Sequence, residues 1–198
     1  MNSNKILSNI CNSPSLVTKP KLYLFIFILF LVPVITLSQL EEYVIKAVFL
    51  ERFTRFIEWP DSIAMPDTSK PFVIGIVGKN PFGATLNDLY STQKIKNKPV
   101  QIRRIDNLNQ INNCHLLFIS KISKNKLNQI LSITRYSPIL TIGDSENYAK
   151  YGVLINFYVV DDKVRFEINE TAVRSSGLKF SYLLFKAAVI INPIGNGQ

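Results

Sequence analysis

The chain has 198 residues, 47% hydrophobic content, 19% charged residues and a formal net charge of +9. That composition supports one compact domain with its own core and excludes a disordered chain. The bases are scattered, with small clusters at Lys94, Lys96, Lys98 and at Arg103, Arg104, whereas nucleic-acid binders mass them on one stripe; the expectation is a domain peripheral to anionic membrane surfaces, with no nucleic acid as partner.

The N-terminal segment has Lys5, Lys19 and Lys21 and no acid before Gln39. Residues 21–38 run KLYLFIFILFLVPVITLS: lysines, an apolar run, then small residues. This is the layout of a secretory signal peptide spanning residues 1–38, cleaved near Ser38/Gln39. An uncleaved anchor is the rival reading, although a spanning helix wants about 20 apolar residues. Either way the expectation is that residues 39–198 form a single domain outside the cytoplasm. Cys11 falls in the removed segment. Cys114 is then the lone thiol, so no internal disulfide is available, and its apolar flank suits a buried small hydrophobe.

Residues 41–58, EEYVIKAVFLERFTRFIE, predict a helix whose apolar stripe is Ile45, Phe49, Phe53 and Phe56, broadened by Val44, Val48 and Ile57. Glu51 and Arg55 are placed to pair one turn apart, and Trp59-Pro60 ends the helix. Phe72 to Val77 is a buried strand, followed by the turn GKNPFG. Thr85 to Tyr90 is a short helix. Pro99 to Ile105 and Leu116 to Ser120 are strands. Ser123 to Ile133 is a helix with Ser123 as N-cap. Ile139 to Ile142 is a strand, and Asp144 to Lys150 a short helix that Asp144 caps. Val153 to Val160 and Lys163 to Ile168 form a hairpin through Asp161-Asp162. Asn169 caps the turn that follows. Leu178 to Ile191 is an apolar helix stopped by Pro193. Alternating strands and helices give an α/β three-layer sandwich with a mostly parallel central sheet, a closing β-hairpin and a C-terminal helix.

Few residues carry chemistry. GKNPFG lacks the Lys-Ser/Thr ending of a phosphate loop, so it reads as a plain turn. His115 is the only histidine, which leaves no multi-histidine metal site. Cys114 and His115 are adjacent on a strand and point to opposite faces, a poor nucleophile pair. Asp161-Asp162 is a solvated turn rather than a calcium loop. Trp59 belongs to the core. No nucleophile, base and orienter stand together, so the expectation is a binding protein without cofactor, metal or catalytic site.

The segments IKAVFLERFTRFIEWP (45–60), FVIGIVGKNPFG (72–83), KPVQIRRI (98–105), CHLLFIS (114–120), ILTIGD (139–144), INFYVVDDKVRFEIN (155–169) and GLKFSYLL (177–184) together resemble the YfiR family of periplasmic regulators. The resemblance implies a periplasmic α/β domain, often dimeric. It also implies a repressor that binds the periplasmic portion of an inner-membrane diguanylate cyclase or kinase and so bears on cyclic-di-GMP signalling. Relatives carry further cysteines that form redox-linked disulfides; with Cys114 alone, that control does not carry over. Where the family often has Gly-Gly before the INF strand, this chain has Gly152-Val153.

Two functions follow as expectations. A repressor needs an exposed partner-binding patch, for which Phe157, Tyr158, Arg165 and Glu167 are the candidates; Arg165 and Glu167 share a strand face by period two. A small-molecule sensor or solute-binding domain needs a pocket beyond the carboxyl ends of the strands, with Asn80 and Asp144 at its rim. A hydrolase finds no constellation to support it.

Overall fold

The structure is a computed structural model, described here for residues 41–61, 63 and 67–191. The signal-peptide reading of residues 1–38 and the stop at Pro193 lie outside the described residues. A seven-stranded sheet runs in the order β3-β2-β4-β5-β6-β7-β9. It comprises β2 (Phe72–Val77), β3 (Val100–Arg104), β4 (Leu116–Ile119), β5 (Leu140–Gly143), β6 (Ile155–Val160), β7 (Lys163–Asn169) and β9 (Val189–Ile191). All pairings are parallel except the β6–β7 hairpin. A two-stranded ribbon of β1 (Ile57–Glu58) and β8 (Lys179–Phe180) stands apart from it.

Helices cover both faces. On one side lie α1 (residues 41–55) and α2 (Thr85–Tyr90), with Leu50, Phe53, Leu86 and Tyr90 in one apolar cluster with Phe72, Phe118 and Ile142 of the sheet. On the other lie α3 (Lys124–Thr134) and α4 (Tyr148–Tyr151), whose Leu127, Ile130 and Tyr148 pack with Val77, Leu117 and Ile119. The central strands β2, β4 and β5 are buried on every residue, because a parallel sheet with helices on both faces leaves no wet side. The α/β three-layer architecture is the one expected from the alternation of elements.

Local chemistry explains most boundaries. Ser123 accepts the Lys126 N–H and caps α3. Asp161 and Asp162 both take positive φ, 49° and 55°, as a two-residue mirror-image turn requires. Asn169 Oδ1 accepts the Ala172 N–H at 2.8 Å and starts α5 (Glu170–Ser176). Trp59 and Cys114 are buried.

Two expectations are corrected. The buried stripe of α1 is Lys46, Ala47, Leu50, Phe53 and Thr54, while Val44, Ile45 and Phe56 are exposed. The helix turns Ala47, Leu50 and Phe53 to the sheet, and Lys46 on the same side is accommodated by its ion pairs. It also ends before Trp59-Pro60, since Ile57 and Glu58 pair with Phe180 and Lys179. At the other end, Leu178 to Ile191 is not one helix. A short α6 (Tyr182–Lys186) sits between β8 and β9, because both flanks find strand partners.

Candidate functional site

Ligands of open α/β sheets bind beyond the carboxyl ends of the strands, where the strand order reverses. Here that point lies between β2 and β4. Asn80 and Asp144 both stand at this end. Asn80 is exposed and organises its own loop: Oδ1 accepts the Phe82 N–H at 3.0 Å and Nδ2 donates to the Gly83 carbonyl at 3.2 Å. Phe82 then packs edge-on against Phe118 and against Tyr43 of α1.

Asp144 neither caps α4 nor faces an open pocket. The N-cap position of α4 is Asn147, without a side-chain cap bond. Asp144 instead accepts the Tyr43 hydroxyl at 2.7 Å and the Lys46 ammonium at 3.2 Å. Lys46 also pairs with Glu42 at 2.5 Å, and its ammonium lies 4.4 Å from the Tyr43 ring centroid. Burial, helped by the bond to Asp144, pushes the Tyr43 hydroxyl pKa well above its ordinary value. Side chains of α1 thus cover Asp144, while Asn80 stays exposed. Burying these charges is tolerable only because each has a partner.

The partner-patch candidates divide along the pleat. Phe157 points toward α1, opposite Phe166 and stacked on Phe53 at 5.6 Å. At 1% exposure it is core, and it is corrected from a contact residue to a packing residue. Tyr158, Arg165 and Glu167 share the other face. Tyr158 lies directly opposite Arg165, and Glu167 accepts Asn156 Nδ2 at 2.9 Å. Tyr158 and Glu167 are half-buried and Arg165 is exposed.

This face continues onto β9, where Val189 pairs with Glu167. Val189 and Ile190 are 49% and 41% exposed. No strand flanks the outer side of β9 among the described residues, so an apolar, β-branched edge stands beside an aromatic–charged pair. Edges of this kind pair readily with another chain. Sequence reasoning missed β9 because it read the segment as helix; the run Val189-Ile190-Ile191 ahead of Pro193 was the strand signal available.

Cys114 and His115 diverge as their adjacency requires. Burial pushes the Cys114 thiol up to about 11, with Arg103 drawing it back only in part; such a thiol is a poor nucleophile. His115 stacks on Phe72 at 4.9 Å, and its Nδ1 accepts the Val73 N–H at 3.0 Å. Burial first, and the Lys98 charge second, hold its pKa below 6.5. Lys98 is itself buried and donates to the backbone carbonyls of Asp67 and Lys70.

These features define a three-layer α/β domain with Asp144 covered by α1 at the strand ends and an open sheet edge. Over residues 43–189 the chain matches the YfiR/HmsC-like family model, and it belongs to that family. The family is one of periplasmic regulators associated with cyclic-di-GMP signalling rather than of enzymes. No curated protein sequence matches the chain.

Proposed function

We propose that this protein is a periplasmic repressor that sequesters the outer domain of an inner-membrane signalling protein of diguanylate cyclase or kinase type. The β6–β7–β9 face is the contact surface in this reading. The observation that carries it is the exposed apolar edge of β9 beside the Tyr158–Arg165 pair. A partner strand added to β9 would gain main-chain hydrogen bonds. Val189 and Ile190 would lose water, at about 25 cal/mol per Å² of apolar surface. Arg165 and Glu167 would set register and exclude wrong partners.

The test is a crosslinked pull-down from intact cells, using the full chain with a C-terminal tag. Recovery of an inner-membrane protein with a cytoplasmic cyclase or kinase domain supports the reading. That recovery should fall with Arg165→Glu and with Val189→Lys. Recovery of the same protein undiminished by both substitutions moves the contact off this face. Recovery of no membrane protein, with crosslinking verified, removes the repressor reading.

A further inference from the structure

An open groove of about 910 Å³ lies between α3, α4 and α5. One wall is a single face of α3: Lys124, Asn128, Ser132 and, just past its end, Arg135. These positions recur at helical spacing, so one stripe lines the groove for about 16 Å of helix axis. Lys150 and Tyr151 of α4 stand across from it, and Thr171 and Ser175 of α5 add hydroxyls one turn apart.

The charge is one-sided. Lys124, Arg135 and Lys150 line the groove and no acid does. None of the three is ion-paired among the described residues. The acid that starts α5, Glu170, is already held by Arg174 at 2.6 Å. The Lys124 ammonium lies 5.0 Å from the Tyr151 ring centroid, which holds that cation on the groove wall.

We infer that this groove binds an organic anion bearing phosphate groups, the cations taking the charge and the hydroxyls and Asn128 taking the remaining oxygens. Arg135 offers the planar fork suited to a phosphate, and the lysines act as point charges. A soluble phosphate ester and an anionic lipid headgroup present the same chemistry.

The experiment follows thermal stabilisation and direct titration of the full chain at fixed ionic strength. The probes are glucose 6-phosphate, glucose, and phosphatidylglycerol vesicles with neutral phosphatidylcholine vesicles as control. Binding of glucose 6-phosphate but not glucose identifies a soluble ester as the ligand type. Binding of phosphatidylglycerol vesicles alone identifies a lipid headgroup. In either case K124Q/R135Q/K150Q should weaken binding about ten-fold or more, as expected for losing several charge-assisted contacts. The surface variant K94Q/K96Q/R104Q, which removes equal charge elsewhere, should not. Equal loss in both variants would reduce the effect to net charge and overturn the proposal. So would binding that survives the groove variant, or no binding to either phosphate probe.

Discussion

Lys46 and Asp144, 98 residues apart in the chain, form an ion pair whose side chains are only 4% and 6% exposed. The pair fastens α1 to the carboxyl end of β5. It buries Asp144, one of the two residues expected at the rim of a strand-end pocket, against that helix. Its members are unequal: Lys46 has Glu42 as a second acceptor, and Asp144 has only the Tyr43 hydroxyl besides. Lys46→Met leaves Asp144 charged and buried with one neutral donor, and should cost about 3–5 kcal/mol. Asp144→Asn leaves Lys46 with Glu42 and should cost less. Urea unfolding of both variants checks the order, and equal losses would show that the pair does not anchor the helix.

Stability should depend on His115 below neutral pH. Its native pKa is held under 6.5 by burial and by Lys98. The unfolded chain therefore binds more protons than the native one once the pH falls below that value, and stability decreases with falling pH in that window. Only about a unit or more above the unfolded pKa are both states essentially neutral at this site, and there its contribution is constant. Melting curves between about pH 7.5 and 5.5 should slope downward in the parent. The slope should flatten in His115→Gln, whose amide oxygen can still accept the Val73 N–H. An unchanged slope would assign the effect elsewhere.

Gly75 is needed for close packing rather than for its backbone freedom. A Cβ there would meet Cys114 Sγ at 2.7 Å, Ile105 Cγ1 at 2.9 Å and Leu117 Cδ1 at 2.9 Å. All three neighbours are buried, so none can swing away. Gly75→Ala should destabilise the domain by about 1–3 kcal/mol through overpacking. The compensating change Cys114→Ala should recover part of it in a double-mutant cycle. Strict additivity would sink the contact argument.

Cys114 should be inert in the native protein. It is buried, its sulfur lies 3.6 Å from the Gln110 carbonyl, and burial pushes the thiol up to about 11. With Cys11→Ser removing the other cysteine, a thiol reagent at pH 8 should label the chain only after denaturation. Rapid native labelling would mean that the segment over Cys114 opens readily.

The β9 edge predicts a separation of stability from binding. Val189→Lys and Arg165→Glu lie on exposed surface, where substitutions usually change stability by less than about 0.5 kcal/mol. Their melting temperatures should match the parent while partner recovery falls. A large loss of stability would instead make the edge part of the fold's own packing.

Much of the fold was legible because short-range signals agreed with it. Continuous apolar runs marked β2 and β4, Ser123 marked the start of α3, and Asp161-Asp162 marked the hairpin. Each depends on chemistry within a few residues. Legibility failed where a distant partner decided the outcome. Ile45 looked like core but is exposed, while Lys46 is buried against Asp144, 98 residues away. The segment 178–191 looked helical until Ile57 and Glu58 claimed one flank and β7 the other. The site candidates divided for the same reason: Tyr158, Arg165 and Glu167 share a face by pleat alone, but only the position of α1 turned Phe157 inward.

The sequence by itself determined the class of fold, the order of its central strands and helices, and the family resemblance. The fold class and element order follow from periodicity and capping, which act locally, and the resemblance from the ordered motifs. Only the tertiary structure decided that α1 covers Asp144, that an apolar edge ends the sheet at β9, and that three unpaired cations line one groove. Those outcomes rest on contacts between segments far apart in the chain, whose energies are settled only when the layers pack.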